Sequence, residues 1–168
     1  MIRSLGTQAD TRDSRTVVAS FEREFALLDS RTRELIQNLP DGILYRPLTL
    51  LNPGANSVGE LILRSAAAVE QTCGGLTANL WDDPFEWTLP ETLSTPALIN
   101  EYLDEVAQTR NNFFARLKDD ADLTKLIAVP AGHTQPLVRL LIETLVRVTG
   151  YLERAAVLLA AASDAKTE

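Results

Sequence analysis

The chain holds one histidine, His133, and one cysteine, Cys73, so the side chains that most often do metal or nucleophilic chemistry are almost absent. A metal centre needs several converging donors, and His133 has no second imidazole to join it. A serine–histidine–acid triad would draw on the same residue, yet no G-x-S-x-G elbow accompanies it. His133 falls in a loop before the last predicted helix, where it is expected to help cap that helix. Cys73, in Cys73-Gly74-Gly75, reads as the end of a helix, and the negative pole of the helix dipole disfavours a thiolate there. A small, semi-buried hydrophobe is expected. Gly74-Gly75 and Gly54 lack the spacing and the lysine of a phosphate loop, which predicts a helix terminator and a turn.

Arg64 and a group of aromatics remain. Arg64 lies at the edge of an apolar stripe. It either buries its stem and sends its guanidinium to water, or offers a fixed positive charge to a carboxylate or other anion. Trp81, Phe85 and Trp87 stand close together, interleaved with Asp82, Asp83 and Glu86. They predict a rim over a pocket, an interface patch, or a hydrophobic plug folded over the core.

Four amphipathic segments must position these residues. The first helix is predicted from about Asp13 or Ser14 to Leu39, with Val17, Val18, Phe21, Phe25, Leu28, Leu35 and Ile36 at core-facing spacing. Pro40-Asp41-Gly42 stops it. The second opens at Ser57 with the S-x-x-E spacing of a capping box to Glu60 and ends near Gly74-Gly75. The third follows Ser94-Thr95-Pro96, a capping residue before proline at the first helical position. It presents Leu98, Tyr102, Val106, Phe113 and Leu117 on one side, with Glu101, Asp104, Glu105, Arg110 and Lys118 outward. The fourth runs from about Thr134 to Ala162 with Leu141, Thr144, Val148 and Leu152 on its inner face, and with Arg139, Glu143 and Arg147 four apart on the other. No strand-period alternation of useful length appears. The fold class is all-α, one domain over residues 1–168, with flexible ends expected at 1–13 and 163–168.

A net charge of −7 argues against non-specific binding to nucleic acid or an anionic membrane. The largest basic cluster is only Arg12, Arg15, Arg31 and Arg33. The longest apolar run, Ala155 to Ala162, is far short of the roughly 20 residues of a membrane helix. The stretch MIRSLGTQADTRDSR has no apolar leader core. With one cysteine and no internal disulfide, a cytoplasmic protein is expected.

The entry Leu44-Tyr45-Arg46-Pro47, followed by a loop and the capped helix Ser57–Glu70, resembles the DinB-like superfamily of four-helix bundles. The resemblance spans about Ser14 to Ala162 and implies an up-down-down-up four-helix bundle. Metal-binding relatives use one histidine on the second helix and a His-x-x-x-His pair on the fourth. Aligned on the capping box and on Gly150, those positions hold Arg64, Thr144 and Val148. Arginine is permanently cationic, valine has no donor, and a lone threonine is a poor ligand. No metal or other cofactor is expected. The implied function is a non-catalytic DinB-like binding or interaction module that has lost its metal site. The alternative is a metal-independent, thiol-dependent transferase or isomerase with a small-molecule pocket near Arg64. Expected ligand-binding residues are Arg64, Trp81 and Trp87, and the expected ligand is a small anion. The resemblance also implies a homodimer, for which Leu27, Leu63 and Leu145 lie off the main stripes.

Overall fold

The computed structural model describes residues 14–40, 42–47, 56–86 and 88–164; the expectations for residues 1–13, for 165–168 and for Asp41, Gly54 and Trp87 lie outside the described residues. Among the described residues the protein is mostly helical, with four α-helices: α1 (Thr16–Gln37), α2 (Val58–Ala78), α3 (Pro96–Phe114) and α4 (Leu137–Asp164). Helix α4 thus continues past Ala162, into the stretch expected to be tail.

Helix α1 begins without a side-chain cap of its own. Asp120, far along the chain, supplies one instead: its carboxylate accepts from the backbone N–H groups of Val17 and Val18, each at 2.9 Å. Arg15 fastens the same end by donating to the carbonyls of Phe114 and Leu117, at 2.8 and 3.1 Å. The helix then buries Val18, Phe25, Thr32 and Ile36, a narrow stripe.

The capping box forms as the sequence predicts: Ser57 N–H donates to Glu60 at 2.6 Å and Glu60 N–H to Ser57 Oγ at 3.2 Å. Helix α2 is buried nearly all the way round, because it packs on both α3 and α4 while α1 packs against the same two helices. Its small residues permit that. A Cβ at Gly59 would stand 2.5 Å from the Tyr45 ring, and the Gly59 N–H donates to Leu44 O at 2.7 Å. Leu63, expected off the stripe, is fully buried, since a central helix has no wet face to spare.

The glycine pair is not the terminator. Helix α2 runs on to Ala78 and stops at Asn79, whose φ of 58° is left-handed, with Asn79 and Leu80 N–H groups returning to Gly75 and Gly74 carbonyls. Gly75 instead makes room for an aromatic ring: an added Cβ would meet the Trp81 indole at 2.4 Å.

Helix α3 has the expected Thr95 cap and Pro96 start. Arg110, assigned outward by periodicity, is buried, and its guanidinium donates to Phe25 O at 3.2 Å and lies 3.8 Å from Asp29. Its charge is paid for by α1, which periodicity within α3 does not reveal. The connection to α4 holds a two-stranded antiparallel ribbon, β1 (Leu126–Ala128) and β2 (Thr134–Pro136), with Ile127 opposite Gln135. Three-residue strands are too short for alternation to register. His133 sits exposed in the ribbon's turn, its carbonyl accepting from Val129 N–H at 3.0 Å, so it does not cap α4, which starts at Leu137.

Candidate functional site

The positions that the family pattern reserves for metal ligands do not form a common site. Thr144 faces α2, where its hydroxyl lies 2.8 Å from that of Thr72 and donates to Leu140 O at 2.9 Å. Val148 is buried in the core cluster. The bundle interior beside Val148 holds a void of only about 20 Å³. Among the described residues no three His, Cys, Asp or Glu side chains converge. A valine, a satisfied threonine and an arginine do not fit a divalent cation.

Arg64 turns away from that interior toward the connection after α2. Its guanidinium carbon lies 3.9 Å from the centroid of the Phe85 ring, a cation–π stack. Its Nε is buried and has no hydrogen-bond partner. Among the described residues no carboxylate comes within ion-pair distance of Arg64. Buried N–H groups are almost always matched, so the enclosed Nε is a cost of the stack, and it is the half-exposed remainder of the guanidinium, bordering a recess, that an acceptor can reach. Gln71, Asp83, Arg147 and Tyr151 border the recess with Arg64 and Phe85.

Gln71 and Arg147 also line a larger cleft, about 370 Å³, between α2, α4 and the ribbon. Trp81 forms one wall. Its indole lies over Gly75, its Nε1 donates to Asn79 Oδ1 at 3.1 Å, and its carbonyl accepts from Gln71 Nε2 at 2.9 Å. Val129, Pro130 and Leu140 supply apolar surface, while Gln135 and Glu143 supply polar groups. Glu143 is already engaged by Arg139 at 2.8 Å, which holds its carboxyl below the usual range. That leaves Arg147 free of any carboxylate partner among the described residues.

Of the expected ligand residues, Arg64 borders the recess and Trp81 the neighbouring cleft, the two sharing Gln71 and Arg147 as common lining, with Phe85 beneath the arginine. The aromatic connection divides its roles: Phe85 packs against the core cluster as well as beneath Arg64, as a plug would, while Trp81 packs on α2 at Gly75 and walls the cleft, as a rim would. Gln71, Arg147 and Tyr151 were missed. The signal was present, because Gln71 follows Arg64 by seven and Tyr151 follows Arg147 by four, both same-face spacings.

Two buried ionisable groups lie nearby. Burial pushes the Cys73 thiol up to about 12, with the Arg110 charge a smaller opposing effect, so the thiol stays protonated and fully enclosed. Burial likewise raises the Glu70 carboxyl, against the hydrogen bond from the Tyr102 hydroxyl. No model of a known protein family matches the chain, and no curated protein matches it. Fold and cleft together define a protein that is mostly helical, with four α-helices among the described residues and an arginine-edged cleft between α2 and α4.

Proposed function

We propose that the chain is a non-catalytic, DinB-like bundle acting as a small-molecule binding module, its metal site lost and its ligand a small anion held at Arg64. The observation that carries this reading is the Arg64 guanidinium: stacked on Phe85, unpaired with any described carboxylate, and with a buried Nε lacking an acceptor. A positive charge kept partly from water without a partner is costly, and an entering anion offsets that cost. Net charge −7 and the absence of any helix long and apolar enough to cross a membrane among the described residues favour a small ligand over a nucleic acid or bilayer. A cytoplasmic location fits the enclosed, unpaired Cys73 thiol.

The up-down-down-up order belongs to this proposal. Four contacts support it: Arg15, just before α1, meets the end of α3, Arg31 on α1 meets Glu153 on α4, Thr72 on α2 meets Thr144 on α4, and Glu70 on α2 meets Tyr102 on α3. A homodimer is also proposed. Leu63 is buried and Leu145 half-buried, so of the expected patch only Leu27 is exposed. Leu27 lies one turn before Arg31 and exposed Val157 one turn beyond Glu153, which flanks that exposed ion pair with apolar surface. Sedimentation at micromolar concentration should give a dimer mass, lost on Leu27→Asp with Val157→Asp; monomer mass alone would remove the proposal.

A cleft of about 370 Å³ beside the Arg64 recess also has room for a second substrate, which supports a second reading, a metal-independent, thiol-dependent transferase or isomerase. Thermal denaturation at constant ionic strength separates binding from none: acetate and similar anions should raise the melting temperature of the parent protein and not of Arg64→Ala. Equal responses of the two proteins would refute the anion reading. Turnover of an electrophile with added thiol would select the transferase.

A further inference from the structure

A small recess at Arg64 and a larger cleft lie side by side, with Gln71 and Arg147 lining both. The recess at Arg64 offers about 30 Å³. One water needs on the order of 10–15 Å³ measured in this way, so the recess has room for about two oxygen atoms. A planar carboxylate is the smallest anionic group that such a recess suits.

Charge and geometry agree with size. Arg64 and Arg147 border the recess with Asp83, whose carboxylate accepts from Phe85 N–H at 3.0 Å and stays as a fixed negative wall. Two cations and one anion leave a single positive charge, matched by a monoanion and not by a dianion. Stacking on Phe85 covers one face of the Arg64 guanidinium; its Nε–H is enclosed, and the edge carrying the terminal N–H groups is left for in-plane hydrogen bonds. Edge-on, two-pronged pairing is the arginine geometry that carboxylates fit.

The larger chamber reads the rest of the molecule. Gln71 and Arg147 line both parts, so a group anchored in the recess extends past them into about 370 Å³. There the Trp81 indole, Val129, Pro130 and Leu140 present apolar surface. We propose that the cleft takes a lipophilic monocarboxylate, an arylalkanoate or a short fatty acid, with its carboxylate between Arg64 and Arg147 and its apolar body against Trp81. This rests on the reading that the cleft binds an anion and narrows it to one class.

Isothermal titration of the full chain tests the class with five probes: 3-phenylpropionate, hexanoate, acetate, 2-phenylethylphosphonate and 3-phenylpropanamide. 3-Phenylpropionate or hexanoate should bind at least tenfold more tightly than the other three; which of the two is tighter distinguishes an aryl from an alkyl ligand. Arg64→Gln and Arg64→Lys should each weaken the preferred carboxylate tenfold or more, the lysine variant because it keeps the charge and loses the fork. Trp81→Ala should weaken the long carboxylates and leave acetate unchanged. Circular dichroism of each variant confirms that the helices remain. Phosphonate binding as tightly as carboxylate, or acetate as tightly as 3-phenylpropionate, would overturn the proposed class while leaving an anion site. Binding of none of the anions would overturn the anion reading itself. Full-strength binding by Arg64→Gln would move the site elsewhere.

Discussion

The hydroxyls of Thr72 and Thr144 meet at 2.8 Å in the buried contact between α2 and α4. Thr144 also donates to the Leu140 carbonyl, which leaves Thr72 as the donor between the two hydroxyls. The pair is thus spent on joining two helices. The pair has an asymmetry that can be measured. Thr144→Val strands the buried Thr72 hydroxyl and should cost about 1–3 kcal/mol, whereas Thr72→Val leaves Thr144 bonded to Leu140 and should cost less. The double variant should lose less than the sum of the two. Urea denaturation of all four proteins gives the cycle, and strict additivity would mean the hydroxyls do not interact.

Asp120 caps α1 with its side chain from more than 100 positions along the chain. Asp120→Ala should cost about 1–2 kcal/mol, at the upper end for a cap because two N–H groups lose their acceptor together. Asn retains an acceptor and should recover part of it. Hydrogen exchange at Val17 and Val18 should quicken in the alanine variant, a local signature that a general loss of stability would not give.

Gly75→Ala should be destabilising, against the gain of up to about 1 kcal/mol that alanine brings to a helix interior. The added carbon would stand 2.4 Å from the Trp81 indole and force it off α2. Trp81→Leu should rescue the alanine variant by removing the ring. If Gly75→Ala alone raises the melting temperature, Trp81 does not rest where the structure has it.

Glu70 should make stability fall with rising pH. Burial raises its folded-state value above the ordinary 4.5, so the fold favours the protonated acid. That contribution is fully present below the unfolded value and is lost as pH rises through the folded one. Glu70→Gln keeps an acceptor for the Tyr102 hydroxyl and cannot ionise. The parent minus variant difference in denaturation free energy should therefore drop with pH above about 4.5. A flat difference would mean the carboxyl is well hydrated.

Cys73 should not react with iodoacetamide in the native protein at mildly alkaline pH and should react fully in denaturant. The thiol is enclosed and burial holds it protonated, with its pKa pushed up to about 12. Rapid native labelling would show that α2 opens at this point.

Sequence alone determined the four helices, the Ser57–Glu60 capping box, the Thr95-Pro96 start and the unsuitability of Arg64, Thr144 and Val148 as metal ligands. Each of these follows from local chemistry: spacing along one helix, a cap within four residues, or the donor atoms a side chain owns. Arg64 was also legible as an unpaired-charge candidate, because an arginine on an apolar edge stands out without any partner being known. What local chemistry cannot register is a neighbour from elsewhere in the chain. Periodicity put Arg110 in water, and only α1, bringing the Phe25 carbonyl and Asp29, makes its burial tolerable. Gly74-Gly75 read as a stop, and only Trp81 folding back over Gly75 turns it into a packing surface. Arg147 and Tyr151 looked like one outward and one inward residue of α4 until Gln71 and Phe85, from α2 and the connection after it, met them at one recess. Tertiary structure decided the site because its walls come from segments far apart in sequence, and no interval along the chain encodes their meeting.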